Sequence, residues 1–473
     1  MQPNEGRANM ALISGIVAVA TIGGLLFGYD SGAINGTEAG LTKTFDLSVG
    51  GLGFTVASLL IGCAIGAFSA GALADRIGRR AVMRIAAFVF VIAAIVQGLA
   101  HSHLEFLIAR IAGGLAVGAA SVLSPAYISE VAPANIRGRM TTVQQIMIIS
   151  GITAAFVVNY VFQQSAGQDS TAVLALGLEA WRWMFLAQAI PAAVFLVALF
   201  FIPESPRFLV SKGRHDEAGG VLGRLFGEVV VKAKIEEIRA SFAADHRPRL
   251  RDVLVPTGKK GFLGVRPIVW VGIMLAVFQQ LVGINVIFYY GSTLWKLAGV
   301  SESAALERNI ISGLVSIAAC LVTIGVIDKI GRKPLLLIGS AGMAVALFVM
   351  VYAFSQGSLD LAGNLQLTKS MGLVAVIAAN LYVIFFNVSW GPVMWVMLGE
   401  MFPNQIRGSA LAVAGLFQWV ANFGITVSFP IMATSLGLTI SYTFYAVCAV
   451  ISFFLVGRFI EETKGKELEE MEG

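Results

Sequence analysis

Twelve stretches of the chain are free or nearly free of charge and long enough to cross a bilayer: 10–34, 50–74, 81–101, 104–127, 141–163, 182–202, 267–294, 309–328, 334–355, 371–398, 408–431 and 437–459. A spanning helix needs about 20 mostly apolar residues. The runs are continuous and do not alternate over ten-residue segments as barrel strands would, so each predicts a helix whose backbone bonds close within it. The last two share one uncharged run, 408–457, and the break is placed after Pro430, around ATSLGLT. The long polar segment 203–266 separates six spans from six. Within it, HDEAGGVLGRLFG (215–227) and VVVKAKIEEIRASFAA (229–244) carry apolar residues at helical spacing and predict short amphipathic helices; a plain linker is the alternative. The expected layout is an N-terminal half (1–202), an intracellular helical linker (203–266), a C-terminal half (267–460) and a tail (461–473).

Composition agrees with an integral membrane protein: 57% of the residues are hydrophobic and 13% charged, against about 25% charged in soluble domains. The net charge of +5 reads as topology rather than as a nucleic-acid surface. With an even number of spans, both termini share one side. Lys43, Arg182, Lys296, Arg308 and Lys369 fall on the other side and Arg110 inside a span; every other Lys and Arg lies with the termini. DRIGRR (75–80), NIRGR (135–139), DKIGRK (328–333) and NQIRG (404–408) are among them. Short cytoplasmic loops collect Lys and Arg, so both termini are expected in the cytoplasm of a cell with the protein in its plasma membrane. Cys63, Cys320 and Cys448 are far apart in apolar runs and form neither a disulfide framework nor a metal site. The first apolar run lacks a clean cleavage site, so no signal peptide is expected. No GxxxxGK[ST] occurs, which argues against an ATP-driven pump. No Ser-His-Asp or metal set stands out and the four His are peripheral, so neither an enzyme nor a cofactor is expected.

The halves repeat each other. ALADRIGRR (72–80) matches GVIDKIGRK (325–333), SEVAPANIRGR (129–139) matches GEMFPNQIRGS (399–409), and IPESPRFL (202–209) matches IEETKGKEL (460–468), each at the same place in its half. Two parallel six-span repeats are the architecture of major facilitator transporters. The motifs GGLLFGYD (23–30), GALADRIGRR (71–80), RIAGGLAVGAASVLSPAYISEVAP (110–133), RGR (137–139), WRWM (181–184), PESPRFL (203–209), QQLVGINVIFYY (279–290), DKIGRKPLL (328–336), SWGPVMWVMLGEMFP (389–403) and QWVANF (418–423) follow in that order. In this set the chain resembles the sugar porter family of the major facilitator superfamily, and within it the bacterial D-xylose and D-glucose transporters.

The amides of QQLVGIN (279–285) stand in an uncharged run. Burying them without partners costs a few kcal/mol. A polyol, whose hydroxyls donate and accept, suits groups that also do both; hydrogen bonding between helices is the other reading. The resemblance implies sugar contact for Gln145 in span 5, Gln279, Gln280, Asn285 and Tyr289 in span 7, Gly391 and Trp395 in span 10, Gln418 and Trp419 in span 11, and Phe27 in span 1. An indole such as that of Trp395 offers an apolar face and one N–H, though ordinary packing also accounts for it. Many family members carry Asn where this chain has Ser316, and the shorter side chain reaches less far. Gly283 and Gly391–Pro392 break helices where backbone lines a cavity, or serve close packing of small residues.

The resemblance further implies that Asp75, Arg79, Arg80, Glu130 and Arg137, with Asp328, Arg332, Glu400 and Arg407, form ion pairs between helices at the cytosolic gate. Membrane anchoring alone explains the Arg but not the interleaved acids. The family's PETKG reads EETKG here, with Glu461 in place of Pro. Inside the spans, a charge costs roughly 2.5–3.5 kcal/mol on insertion scales, so Asp30 and Arg110 are expected to pair and act as a proton switch. Proton-coupled members of the family commonly carry Asp at this place; some also have Glu where this chain has Gln188. The function expected is import of a monosaccharide, D-glucose or D-xylose, by alternating access with a proton, in a protein that works as a monomer in the lipid bilayer. A facilitated-diffusion uniporter is the alternative. A sugar receptor is a third reading, but the tails beyond the first and last spans are too short for a signalling domain.

Overall fold

A segment in lipid has to close its own backbone hydrogen bonds, and the computed structural model of the chain is accordingly almost all helix. It describes residues 9–133, 137–244, 253–255, 262–297, 300–359, 365–403 and 406–463. Among these, twelve segments are long and apolar enough to cross a membrane: Met10–Ala33, Val49–Ile77, Arg79–Leu99, His103–Val131, Val143–Ser165, Ala180–Ala198, Pro267–Lys296, Ser303–Ile327, Arg332–Ser355, Lys369–Met401, Arg407–Ser435 and Gly437–Phe459, numbered here as spans 1 to 12. They fall on the expected apolar runs in order. Helix ends reach beyond some runs because polar residues cap them. Span 8, for example, sits in a helix capped by Ser301, whose side chain accepts from Ala304 N, so Glu307 and Arg308 are helical.

The split between spans 11 and 12 falls within ATSLGLT, as expected. Helix continues through Pro430 to Ser435, and the chain turns at Leu436 and Gly437, the latter with φ of +83°. Proline has no N–H to give the carbonyl four residues earlier, here that of Thr426. Tyr290 Oη donates to that oxygen instead, at 2.8 Å. The substitute bond lets the helix run on.

Spans 7 and 10 are each broken. Span 7 consists of Pro267–Leu281 and Ile284–Leu297, joined through Val282 and Gly283. Span 10 consists of Lys369–Val388 and Trp390–Met401, joined at Ser389. The polar segment after span 6 forms helices Pro206–Ser211, His215–Phe226 and Val231–Ala244. Phe208, Leu209, Val210 and Ala218 form their core, with Val221, Ile235 and Ile238 against it. The amphipathic helices expected there are present, rather than an unstructured linker.

By contact the chain divides into two compact units. One comprises Met1–Gly28, Ile61–Gly151 and Leu186–Arg247; the other comprises Tyr29–Leu60, Ile152–Phe185 and Pro248–Gly473. The second therefore takes in, with spans 7 to 12, the ends of spans 1, 2, 5 and 6 that lie away from the termini. In the first unit, spans 2 and 4 touch backbone to backbone. A Cβ on Gly62 would strike Ile111 O, and one on Gly118 would strike Cys63 O. Small residues permit this approach where no hydrophobic drive between helices exists.

Tyr290→Phe is expected to leave the Thr426 carbonyl unsatisfied in an apolar interior, costing about 1–3 kcal/mol. The detergent-solubilised protein should melt lower, and adding Pro430→Ala should restore part of the loss by returning a backbone donor.

Candidate functional site

The break in span 7 is made by Gly283. Its φ of +86° favours glycine, and a Cβ there would press into the ring of Tyr445. Tyr382 Oη donates to Val282 O at 2.7 Å and so closes one carbonyl at the break. The span 10 break is held by Ser389 Oγ on Phe385 O (2.5 Å) and by Trp390, whose indole N–H donates to Ser340 Oγ (2.9 Å).

A chain of amides runs between the two breaks. Gln279 Nε2 donates to Trp390 O at 3.0 Å. Its Oε1 accepts from Gln418 Nε2 at 2.6 Å and from Gln280 Nε2 at 3.2 Å. Gln280 Oε1 accepts in turn from Asn285 Nδ2 at 2.5 Å. Gln279 is 4% exposed, Gln280 6% and Gln418 8%, so both amides of the pair are buried in one connected series. Each amide carries two N–H donors and an acceptor oxygen, which leaves donors on Gln418 and Asn285 beyond those used in the series.

Around this series, Tyr289 is buried and its hydroxyl accepts from Asn422 Nδ2 at 3.5 Å. Gly391 is buried, Trp419 half-buried and Trp395 41% exposed, so the indole of Trp395 presents an open face. The hydroxyl of Ser316 is spent on its own helix, donating to Ser312 O at 2.7 Å. Phe27 and Gln145 belong to the other compact unit, where both are half-buried. The sequence reading missed Asn422, although it stands in the quoted QWVANF; a buried Asn one turn from Gln418 was the available signal. It also missed Trp390, whose carbonyl matters as much as its ring.

The charged motifs form one arrangement twice. In the first unit, the Arg79 guanidinium pairs with Asp75 (2.9 Å) and Glu130 (3.2 Å), and Ser205 Oγ donates to Glu130. Glu204 accepts from the backbone N–H of Arg79 (3.0 Å) and Arg80 (3.1 Å), closing the start of span 3. In the second unit, Arg332 pairs with Glu400 (2.9 Å), Thr463 Oγ1 donates to Glu400 (2.6 Å), and Glu462 accepts from Arg332 N and Lys333 N, each at 3.0 Å. Carboxylates at a helix N-terminus satisfy orphan donors and face the positive end of the dipole. Glu204 and Glu462 lie in the repeated PESPR and EETKG motifs, and their capping role was not anticipated. Arg80 and Arg407 reach carbonyls, those of Ile202 (2.9 Å) and Phe402 (2.9 Å). The side chains of Arg137 and Asp328 lie outside the described residues.

Asp30 is fully buried in one unit and Arg110 is 1% exposed in the other. Gln97 and Gln188 in spans 3 and 6 are fully buried with both amide heavy atoms lacking a hydrogen-bond partner. Such groups are rare in folded proteins.

Glu204→Ala and Glu462→Ala should each cost about 1–2 kcal/mol through the lost cap, read as a lower melting temperature. Gln279→Leu leaves the buried Trp390 carbonyl and two amide N–H groups without this partner, so it should cost about 1–3 kcal/mol of stability, lowering the melting temperature, and raise KM for solute about tenfold; thermal melts and initial uptake rates against solute concentration measure the two effects.

The family described as "Sugar (and other) transporter" matches residues 16–473. The chain is 45% identical to a glucose transport protein of Synechocystis, covering 99% of each chain. It is 40% identical to the D-xylose-proton symporter of Escherichia coli, covering 98% of this chain and 96% of that one. Among solved structures, the inward open xylose transporter XylE of E. coli aligns with a TM-score of 0.81 at 37% identity, over 97% of this chain and 99% of that one. The same transporter bound to 6-bromo-6-deoxy-D-glucose aligns with a TM-score of 0.78 at 38% identity, over 98% and 99%.

Proposed function

The chain belongs to the sugar (and other) transporter family of membrane proteins, and from that premise we propose that it imports a monosaccharide, D-glucose or D-xylose, together with a proton. Transport proceeds by alternating access across the plasma membrane, with both termini in the cytoplasm. The observation that carries the sugar reading is the buried amide series Gln418–Gln279–Gln280–Asn285 between two broken helices. Amides that hold one another in place present fixed donors and acceptors to a hydroxylated ring at little ordering cost. Tyr289, Gly391, Trp395 and Trp419 are assigned contact with the sugar from the same half. Phe27 and Gln145 are assigned the same role on the family resemblance.

Coupling is assigned to Asp30 and Arg110, each buried within a span. An ionisable side chain in a span marks an ion or proton pathway, and two of the relatives described above are a glucose transporter and a proton symporter. Gln188 favours the second reading, facilitated diffusion, because an amide stands where some proton-coupled relatives carry a carboxylate. The two arrangements built on Arg79 and Arg332 are assigned to the cytosolic gate. Individual exposed pairs contribute about 0–1 kcal/mol; the Arg79–Glu130 and Arg332–Glu400 pairs are partly buried, and each is tied to a hydroxyl and a capped helix. The protein is assigned as a working monomer.

Reconstituted in liposomes with an inward proton gradient, the protein should accumulate sugar above its external concentration. Asp30→Asn should keep equilibrium exchange and lose accumulation. Exchange without accumulation in the unmodified protein establishes the uniporter; accumulation that survives Asp30→Asn moves the coupling role to another residue; no sugar flux at all removes the transport reading.

A further inference from the structure

One buried carboxylate has no part in that mechanism. Span 1 ends at Ala33, a turn follows, and the short helix Glu38–Phe45 begins with Glu38. By the assigned topology this is the external side. Glu38 is 4% exposed. Its carboxylate accepts from Gly36 N (2.6 Å), from Ser292 Oγ on both oxygens (3.1 Å each) and from Thr293 Oγ1 (3.4 Å). Ser292 and Thr293 lie in span 7 just after Tyr290, where the helix is kinked (φ −120°, ψ 20°).

Asn35, three residues before, completes the joint. Its Nδ2 donates to Phe288 O (3.0 Å), and its Oδ1 accepts from Ser292 N (3.0 Å) and Asn309 Nδ2 (3.1 Å). Asn159 in span 5 donates to Asn35 O (2.5 Å). Asn35, Asn159 and Ser292 are fully buried. The ends of spans 1 and 5 are thus tied to spans 7 and 8 by a polar joint closed to water, and all of it lies within one compact unit.

We propose that Glu38 is a proton-linked latch of the external gate, its carboxyl locking the end of span 1 onto the kinked outer part of span 7, so that opening this gate is coupled to a protonation change at Glu38 distinct from that at Asp30. The proposal rests on the alternating-access reading. If the gate opens, Ser292, Thr293 and Glu38 separate and the carboxyl returns to water.

The direction follows from the surroundings. Burial raises the Glu38 carboxyl above its ordinary value; the Lys296 charge and the bonds from Gly36 and Ser292 oppose this without reversing it. Lys296 is the charge that faces Glu38 from span 7. It also acts on Asp169, whose carboxyl is held low first by Thr171, with Lys43 adding to it. Glu307 accepts from Tyr160, Arg308 stacks on Trp295 at 5.2 Å, and Arg182 pairs with Glu179. The closed joint holds the proton more tightly than the open one. Its added stability is therefore full below the ordinary carboxylate value and is lost as pH rises to the raised value.

The test uses the full chain in lipid nanodiscs without sugar, with spin labels on cysteines introduced at the exposed positions Leu176 and Lys369; the three native cysteines are buried. Electron–electron distances then report the closed-to-open ratio against pH. One linked proton changes that ratio by at most about tenfold per pH unit. Lowering pH should raise the closed fraction, Glu38→Gln should flatten the response to less than about twofold, and Asp30→Asn should retain the part due to Glu38. A Glu38→Gln protein with the full response overturns the proposal. Ser292→Ala keeps the carboxyl and removes a donor to both its oxygens, so it should move the midpoint to higher pH; an unmoved midpoint also overturns it. Equilibrium sugar exchange on the same preparations separates the two readings: exchange with an unaltered pH response defeats the latch alone, whereas no exchange in the unmodified protein defeats transport.

Discussion

Backbone hydrogen bonding in a medium without water is the constraint on which the rest of this structure depends. Every N–H and C=O within a span needs a partner, so an unbroken helix is the default and each departure from it requires a local remedy. In spans 7, 10 and 11 the remedy is a named side chain. Tyr382 closes the carbonyl of Val282, Ser389 that of Phe385, and Tyr290 the Thr426 carbonyl that Pro430 leaves. The amide series is part of the same economy, since Gln279 bonds the Trp390 carbonyl beside the span 10 break. The group that orders the broken backbone is thus also one to which sugar contact is assigned.

The same constraint shapes the charged ends. A helix start leaves unpaired N–H groups, and at spans 3 and 9 these fall next to clusters of Arg. Glu204 and Glu462 serve both needs, capping the helix and adding negative charge beside Arg79 and Arg332. Because each arrangement includes a residue from beyond the last span of its half, Ser205 or Thr463, movement of that half would carry the module as a whole. Internal repetition of sequence has become repetition of a mechanical part.

The two sides of the membrane are built differently. The arrangements assigned to the cytosolic side use full ion pairs within each compact unit. The external joint uses neutral amides and hydroxyls around one carboxylate, and draws the ends of spans 1 and 5 into the unit that holds spans 7 and 8. Hydrogen bonds among neutral groups carry little desolvation penalty compared with buried charges, so such a joint can close and reopen. A single acid within it gives that cycle a dependence on protons.

Spans, their order and the repeat were legible in the sequence because membrane insertion is a local property: about 20 apolar residues suffice wherever they stand. The capped start of span 8 and the bond from Tyr290 that serves the carbonyl left by Pro430 were not, since each depends on a partner hydroxyl, one of them on another span. Of the candidate site, the amides of QQLVGIN could be read from the sequence as polar groups in an uncharged run, and the family resemblance supplied Gln418, Trp419, Trp395, Gly391 and Tyr289. That Gln279 is the hub, that Asn422 belongs beside Tyr289, and that Glu38 meets Ser292 required the packed chain. The sequence by itself determined which segments enter the membrane and which polar residues go with them, because transfer energy sums along a helix. Only the tertiary structure decided which of those residues bond one another, because a hydrogen bond is set by distance and angle between atoms as much as 274 positions apart, as in Asn35 and Asn309.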